Sequence, residues 1–557
     1  MPIGFTTSRI GMSKGRSFTV VAILGLAMAS GGWLMGRGLR REAPSVVDGR
    51  RLFQQVMETV QKQFVDSLPP DSLWKASMLG MVNELHDPHS VFLVADRLKR
   101  FREQTTGQYA GVGLRVDVRD GWITVIAPLP GSPSEAAGLQ TGDRVVKIDA
   151  MDTKGLTSEE ALVKLRGDPG SHVALTVERL GVDRLTFNLT RQVIHVRAVQ
   201  RVAMLPSKVG YLDVSVFSDS TADEVAAGVD SLTRMGMQSL VLDLRGNPGG
   251  LVEQGAAVSD LFLDPGQEIV TLRGRTPESN RTFKDKLPQR WPLLPIVVLV
   301  DRGSASAAEI VAGALQDHDR AVVVGTTTYG KGSAQSVFDA GAVGALKLTT
   351  SLWFTPVGRS ISIRRRYNDE TSVRRAGVQQ TDSLSNEADS MVTHRQAFKT
   401  DKGRVVYGGG GITPDVIARD SAAMVQGAAL QAVLGRAVPT FRDALTALAL
   451  QMKASRSLSG ANFVVTPIMR AQLLTGVRQR GASIADSAFE TNADVVDRLI
   501  GYEATRYVFG RDAEFSRRTA DDPVMQRALH LLRNAPGRDE LLVRASAEHP
   551  SKVGGRS

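Results

Sequence analysis

The chain has 557 residues, and its 42% hydrophobic content supplies several packed cores, which excludes a disordered protein. It contains no cysteine, which excludes disulfides, thiolate zinc sites and cysteine nucleophiles. The formal net charge is +10, but six of these charges flank one N-terminal apolar segment, so the remaining chain has an excess of only four. So small an excess does not predict a nucleic-acid-binding surface.

The N-terminal apolar segment, residues 18–35, lies between two groups of cations. Three cations precede it and three follow it: Arg9, Lys14, Arg16, Arg37, Arg40 and Arg41. This arrangement predicts either a cleaved signal peptide or an uncleaved signal anchor. Ala27 and Ala29 have cleavage spacing, but the apolar run continues to Met35, about 18 residues in all and about the minimum for a bilayer. We favour an inner-membrane anchor, and both alternatives predict export to the periplasmic or extracytoplasmic side of the cell envelope.

The next region, residues 43–106, is predicted to be mainly helical. Its first helix carries one apolar stripe of residues spaced four apart: Leu52, Val56, Val60 and Phe64. The sequence PPDS at 69–72 ends that helix and caps the next one. His86 and His89 follow in a turn, but no further ligands follow at a suitable spacing, so no metal site is predicted.

An ordered set of glycine-containing motifs and alternating strands occupies residues 107–193. GVGL at 111–114 is followed by SPSEAAGL at 132–139 and GDRVVKI at 142–148, and residues 158–165 predict a helix. This series resembles a PDZ domain, a β-sandwich-like fold with two helices. PDZ domains add a peptide as a strand and hold its C-terminal carboxylate with backbone N–H groups. The resemblance implies that this peptide-binding loop consists of Gly111, Val112, Gly113 and Leu114.

Strand and helix signals then alternate through residue 324, which predicts an α/β layered domain with a largely parallel sheet. The predicted strands are 209–217, 239–244, 296–300 and 321–324, and the predicted helices are 221–235, 251–262 and 306–315. The sequence NPGG at 247–250 forces a turn between one strand and the following helix. An amide of Gly249 or Gly250 can approach a substrate carbonyl there, and the pattern does not decide between them. An ordinary strand-to-helix turn is the alternative interpretation.

Ser306 lies where a predicted strand turns into a helix, and Lys331 follows 25 positions later in the sequence YGKG. A serine nucleophile requires a base, and lysine serves only if burial or a nearby cation lowers its pKa. The Ala307 amide at the helix start is suited to stabilising an oxyanion. Ser304 is an alternative nucleophile, with Ser306 as the helix N-cap.

Histidine does not offer a competing base. Of the eight histidines, only His318 is close to Ser306 in sequence. It lies at the far end of the predicted helix, about 18 Å from Ser306 by helix rise. This favours a Ser-Lys pair, a known variant of the Ser-His-Asp arrangement.

The motifs SASAAEI at 304–310 and YGKG at 329–332 resemble those of the carboxyl-terminal processing peptidases, the tail-specific serine proteases of family S41. The resemblance covers roughly residues 46–416. It implies that Ser306 and Lys331 form the catalytic dyad, that Gln335 orients the lysine, and that the Gly249–Gly250 turn lies near the oxyanion hole. It also implies a serine endopeptidase without a cofactor that forms an acyl-enzyme on proteins with exposed C-termini.

The predicted architecture is therefore multidomain α/β. Its parts are a leader (1–42), a helical N-terminal region (43–106), a PDZ domain (107–193), the protease core (194–420) and a helical C-terminal region (421–557). The polar segment 369–404 is predicted as a surface insertion or flexible loop and the tail 550–557 as disordered. For the C-terminal helices the sequence leaves open a helical cap, self-assembly into a homo-oligomer and docking of an adaptor protein. The alternative function for the whole chain is a catalytically silent PDZ scaffold that binds tails of envelope proteins.

Overall fold

The computed structural model describes residues 46–179, 182–363, 395–533, 535 and 537–547. The predicted leader, most of the polar segment 369–404 and the tail 550–557 lie outside the described residues. Within the described ranges, no helix is both long enough and apolar enough to cross a membrane. The chain divides into two compact units, Met1–Val82 and Asn83–Ser557.

The first unit contains α1 (Val46–Gln63) and most of α2 (Pro70–Asn83). Phe53 of α1 and Trp74 of α2 pack with ring centroids 5.7 Å apart. The predicted helix is therefore confirmed. Much of its predicted apolar stripe is exposed, because Leu52 and Val56 keep 61% and 51% of their surface accessible.

The second unit begins with β1 (Val91–Val94) and α3 (Ala95–Thr106), and then forms the domain predicted as PDZ. Its elements are β2 (Gln108–Gly111), β3 (Leu114–Arg119), β4 (Trp122–Pro128), α4 (Pro133–Ala136), β5 (Arg144–Ile148), β6 (Met151–Asp152), α5 (Ser158–Leu165), β7 (His172–Arg179), β8 (Val182–Thr190) and β9 (Gln192–His195). The antiparallel sheet has the order β3-β4-β5-β7-β8 with β6 on β5, and β2 pairs with β9.

Helix α5 has the bounds predicted for the groove helix. A capping box starts it: the Thr157 hydroxyl accepts from the Glu160 N–H (3.2 Å), and the Glu160 carboxylate accepts from the Thr157 N–H (2.8 Å). Ala161 and Leu165 are buried in the domain core.

The region predicted as the protease core follows as strands alternating with helices. Its elements are β10 (Val199–Leu205), β11 (Val209–Val214), α6 (Thr221–Arg234), β12 (Ser239–Asp243), α7 (Val252–Asp260), β13 (Glu268–Gly274), β14 (Arg281–Lys284), β15 (Ile296–Val300), α8 (Ala307–Asp317), β16 (Val322–Gly325), β17 (Ser333–Asp339), β18 (Gly344–Phe354), β19 (Ala397–Lys399), β20 (Val405–Tyr407) and β21 (Val416–Ile417). The predicted strands and helices are confirmed, with ends that differ by up to three residues.

Two sheets build this core. The first has the order β10-β11-β12-β15-β16-β21, and all of its pairs after β10-β11 are parallel. The second has the order β1-β18-β13-β14, and β17 also pairs with β18. All five residues of β15 are buried, because helices cover both faces of the first sheet.

The C-terminal region is helical, as predicted. Its helices are α9 (Ser421–Leu434), α10 (Val438–Ser455), α11 (Pro467–Gln479), α12 (Asp486–Thr491), α13 (Ala493–Phe509), α14 (Arg511–Asp521), α15 (Pro523–Leu532) and α16 (Arg538–Ala547). Helices α9 to α13 share a core of their own, which also contacts the PDZ domain through Arg480 and Asp120, with Nε and Oδ1 2.8 Å apart.

The last two helices in the described residues, α15 and α16, pack on the parallel sheet that starts with β10. Met525 and Leu541 pack with Val241 and Val297, which face away from α6, α7 and α8. Without these two helices one face of a fully apolar sheet would be open to water. Helices α15 and α16 are therefore part of the same fold as the parallel sheet.

Candidate active site

Two neighbouring parallel strands position the candidate site. At the carboxyl ends of β12 and β15 the chain turns into α7 and α8, respectively. In an open parallel sheet, ligands bind at this edge. The turn at 247–250 and Ser306 therefore lie side by side: a Cβ on Gly249 would come within 2.6 Å of the Ser306 Cβ.

Ser306 has a strained backbone. Its φ of 55° and ψ of −116° are rarely adopted by a residue with a side chain, and they place it at the sharp corner just before α8. Such a conformation costs about 1–3 kcal/mol and persists only where the surroundings enforce it. The serine is also 95% buried, with 5% of its surface exposed. Strain at a hydroxyl residue between strand and helix is typical of a nucleophile.

Ser304, the alternative nucleophile, is fully occupied by structural contacts. Its hydroxyl donates to the Leu244 carbonyl (2.7 Å) and accepts from the Asp301 N–H (2.9 Å), and the residue has no exposed surface. These bonds tie the turn after β15 to the end of β12. The geometry favours Ser306 as the nucleophile.

The three candidate oxyanion donors differ in their hydrogen bonds. The Gly249 N–H donates to the Asn247 side-chain oxygen at 2.8 Å. The N–H groups of Gly250 and Ala307 make no hydrogen bond within the described residues. Ala307 is buried at the start of α8, so an N–H without a partner costs free energy there. A substrate oxyanion that accepts a hydrogen bond from this N–H would remove that cost. The arrangement favours Gly250 and Ala307 as donors, with Gly249 providing close approach.

The Gly249→Ala variant tests this close approach. Gly249 has φ +92°, and the added Cβ would lie 2.6 Å from the Ala305 oxygen and 2.9 Å from the Ala307 nitrogen. Because both contacts are with backbone, we expect the Ser306 turn to move and hydrolysis to fall by about 100-fold. Gly246→Ala is the matched control, since Gly246 has a similar positive φ but open space around it. Equal rates of peptide hydrolysis in the two variants would contradict this prediction.

Glu309 joins the serine and lysine segments. One of its oxygens accepts from the backbone N–H groups of Ser306 (2.8 Å) and Lys331 (2.9 Å). The other accepts from the Thr328 hydroxyl (2.5 Å) and the Gly330 N–H (2.7 Å). A shared acceptor oxygen keeps the Ser306 and Lys331 nitrogens within about 6 Å of each other. Burial raises the pKa of Glu309, and the four donors oppose this by favouring the carboxylate.

Sequence reasoning missed Glu309, although a signal was present. Ser306 and Glu309 have the S-x-x-E spacing of a capping box, which predicts a bond from the glutamate to the N-cap amide. The structure contains this bond. The further bonds from Thr328, Gly330 and Lys331 are long-range in sequence, so no local pattern predicts them.

Lys331 is held in an environment that lowers its basicity. Burial is the main cause and the nearby Lys347 ammonium the second, and together they lower the pKa of Lys331 to about 8 against the opposing effects of Glu309 and Asp87. The Lys331 carbonyl accepts from the Trp353 indole N–H (3.0 Å), which fixes the loop from the opposite side. A lysine of this kind is partly neutral near neutral pH and can accept a proton.

The side chains of the predicted dyad do not form a hydrogen bond with each other in this structure. In the part of the chain that is described, no hydrogen bond joins the Ser306 hydroxyl to the Lys331 amine. The Gln335 amide donates to Ser333 Oγ (3.0 Å) and Thr349 Oγ1 (3.2 Å) rather than to Lys331. Glu309 thus joins the backbones of Ser306 and Lys331, but no hydrogen bond joins their side chains to each other or to Gln335 in the described residues.

The predicted peptide-binding loop lies between β2 and β3. The Val112 carbonyl accepts from the Ser134 hydroxyl (2.6 Å), and the Gly113 carbonyl accepts from the Leu129 N–H (2.9 Å). Gly113 has φ +73°, and a Cβ there would lie 2.2 Å from the Ser132 Cβ, so only glycine fits. The loop is therefore rigidly held near the start of β3 and the N-terminal end of α4.

His318 lies at the end of α8, as predicted, and its side chain hydrogen-bonds to residues other than Ser306. Its ring nitrogens are 2.7 Å from the Asp401 carboxylate and 2.7 Å from the Glu268 carbonyl. Among the described residues, no group of three or more histidine or acidic side chains could hold a metal ion.

Comparison with known proteins agrees with this architecture. Residues 208–366 match the family model of peptidase family S41, and residues 124–179 match that of the PDZ domain. A carboxy-terminal-processing protease of Bartonella bacilliformis is 39% identical over 314 residues, which span 56% of this chain and 71% of that protein. The carboxy-terminal processing protease CtpA of Bacillus subtilis is 34% identical over 304 residues, 55% of this chain and 65% of that protein.

A solved structure of the photosystem II D1 C-terminal processing protease is also similar. It is 29% identical and covers 56% of this chain and 89% of its own, with a TM-score of 0.33.

The fold and its comparisons define a serine peptidase that carries a PDZ domain. The chain belongs to peptidase family S41, with the carboxy-terminal processing proteases as its relatives.

Proposed function

We propose that this chain is an exported endopeptidase that holds free protein C-termini in its PDZ domain and cleaves peptide bonds with Ser306 and Lys331. The observation that carries the proposal is the Glu309 carboxylate, which binds the backbones of a strained serine and a lysine of low basicity through one oxygen. Binding of protein C-termini alone requires neither a strained serine nor a lysine of low basicity. Export rests on the N-terminal apolar segment.

The proposed reaction begins when substrate binds and the Lys331 side chain turns toward Ser306. The neutral amine takes the hydroxyl proton as the serine oxygen attacks the peptide carbonyl. The Gly250 and Ala307 amides stabilise the resulting oxyanion. The lysine ammonium then protonates the leaving amine, and an acyl-enzyme remains on Ser306. Water, deprotonated by the same lysine, hydrolyses it.

The pH dependence of kcat/KM follows from the base. Only the neutral amine accepts a proton, so activity should rise with pH through the lowered pKa of Lys331, about 8, and level off above it. Steady-state hydrolysis of an unfolded protein across the pH range measures this. A flat profile between about pH 6 and about pH 10 would contradict a lysine base.

Recognition of C-termini is tested with paired substrates. An unfolded protein with an apolar free C-terminus should be cleaved with a lower KM than the same chain bearing a C-terminal amide. The amide lacks the carboxylate that PDZ backbone N–H groups bind. Equal kcat/KM for the two substrates would remove tail recognition from the proposal while leaving the protease activity intact.

The alternative, a silent scaffold, is favoured by one observation, namely that Ser306 and Lys331 are not hydrogen-bonded to each other. A fluorophosphonate that reacts with activated serines distinguishes the two functions. Labelling of Ser306 that is lost in Lys331→Ala supports the protease. Tail binding without labelling or cleavage supports the scaffold.

A further inference from the structure

The turn at residues 87–90, DPHS in the sequence, lies against β18 (Gly344–Phe354), which follows the candidate base in the chain. Strand β1 begins directly after this turn and pairs with β18, with Val91 opposite Lys347. On its other edge β18 pairs with β17, with Thr349 opposite Gln335. The turn is therefore separated from Gln335 by a single strand.

A chain of hydrogen bonds crosses that strand. The Ser90 hydroxyl donates to the Asp87 carboxylate (2.5 Å) and accepts from the Thr349 N–H (3.0 Å). The Thr349 hydroxyl accepts from the Gln335 amide (3.2 Å), and the Thr349 side chain also helps to lower the pKa of Asp87. The contacts thus run from Asp87 through Ser90 and Thr349 to Gln335, the residue that the family resemblance assigns to orienting the lysine.

The same carboxylate faces two cations. Asp87 raises the pKa of both Lys331 and Lys347, although it forms no ion pair within 4.0 Å with either in the described part of the chain. Burial would raise the pKa of Asp87, but the Ser90 hydroxyl, the Thr349 side chain, the His89 N–H and the His89 charge hold it below its ordinary value. Two further charged groups act on the pKa of Lys331: the Lys347 ammonium lowers it and Glu309 raises it. Asp87 is therefore ionised wherever the lysine titrates.

We propose that Asp87 is a positioning residue of the active site, which fixes Gln335 through Ser90 and Thr349 and provides the counter-charge of the Lys331 and Lys347 ammonium groups. This inference rests on the proposed role of Lys331 as base. The carboxylate stabilises the protonated lysine at rest and sets the pH above which the base is available. Asp87, in the turn before β1, thus affects the protonation of Lys331 although it lies outside the loop that carries Ser306.

Asp87→Asn in the whole chain tests both parts of the proposal, the counter-charge and the positioning of Gln335. The uncharged amide no longer stabilises the ammonium, so the midpoint of the kcat/KM profile should move to lower pH. Asparagine has only one accepting oxygen, so it cannot accept from both the Ser90 hydroxyl and the His89 N–H, and the high-pH plateau of kcat should fall by about 10- to 100-fold. Asp96→Asn, an exposed carboxylate in the first turn of α3, is the matched control and should change neither quantity.

A second readout does not depend on turnover. Acetylation of Lys331 by acetic anhydride, followed by mass spectrometry across pH, reports the titration of its amine. In Asp87→Asn this titration should also move to lower pH. If the Lys331 titration and the kcat/KM midpoint both stay at their wild-type pH, the proposed role of Asp87 as counter-charge is wrong. A folding defect alone would lower only the plateau of kcat and would not move either pH value. If Lys331→Ala hydrolyses normally, the proposed function fails, while the labelling still reports whether Asp87 acts on Lys331.

Thr349→Val separates the hydrogen-bond chain from the charge. It removes the hydroxyl that accepts from the Gln335 amide but leaves the Asp87 carboxylate and its bond from Ser90 in place. We expect a plateau about tenfold lower, with a smaller change in midpoint than Asp87→Asn causes. An unchanged plateau in Thr349→Val would overturn the positioning of Gln335.

Discussion

Replacing Ser306 with alanine should reduce peptide hydrolysis by about 10⁴-fold or more, and Lys331→Ala should cause a loss of similar size. The serine supplies the bond-forming oxygen, and the lysine removes its proton, so loss of either abolishes the acyl-enzyme. Because the two act as a unit, the double variant should be no less active than either single variant. The measurement is kcat/KM on an unfolded protein with an apolar C-terminus.

Ser304→Ala is the matched control for this loss. Ser304 lies two residues earlier in the same turn, but its hydroxyl bonds to the Leu244 carbonyl and the Asp301 N–H. Removing it leaves the Asp301 N–H unpaired and the Leu244 carbonyl with only the Asn247 N–H as donor, which should cost about 1–3 kcal/mol of folding stability. Hydrolysis by the folded variant should stay near the wild-type level. Loss of activity in Ser304→Ala with retention in Ser306→Ala would reverse the assignment of the nucleophile.

Glu309→Gln should cause the second large effect, on stability and on hydrolysis together. Glutamine has one accepting oxygen, so its amide nitrogen would face two of the four donors that the carboxylate now accepts. Two buried donors left unpaired cost about 2–6 kcal/mol in the free energy of unfolding. Because the Ser306 and Lys331 backbones would no longer share an acceptor, hydrolysis should fall by about 100-fold or more. Denaturant unfolding and kcat/KM measure the two effects.

The control for this variant is Glu253→Gln. Glu253 lies in the first turn of α7, as Glu309 does in α8, but its side chain is exposed and pairs with an exposed Arg281 at 3.0 Å. A surface pair of this kind contributes little to stability. Wild-type stability in Glu309→Gln would show that the carboxylate does not hold the two segments together.

Much of the layered core could be predicted from local sequence. The apolar run at 296–300 is the buried strand β15, and residues 158–165 form the predicted helix α5 because a capping box starts it. Hydrophobic periodicity and capping act within a few residues, so they are readable in one sequence. The adjacency of the Gly249 turn and Ser306 follows from their shared position at the ends of neighbouring parallel strands.

The site contacts that cross long stretches of sequence could not be predicted. The bond between Glu309 and Lys331 spans 22 residues, and that between Ser90 and Thr349 spans 259. Both depend on strand order and register, which no local pattern specifies. For the same reason the sequence did not indicate that Met525 and Leu541 complete the core beneath β12 and β15.

The sequence by itself determined the residue types, the order of the segments and the turns that place Ser306 and Lys331 after strands, because these depend on side-chain chemistry and local backbone preference. Only the tertiary structure decided three further points: Ser304 is structural, the Gly249 amide is occupied, and Glu309 and Asp87 act on the lysine segment. These follow from burial and hydrogen bonding between distant parts of the chain. A buried donor or acceptor must find its partner wherever the fold brings one.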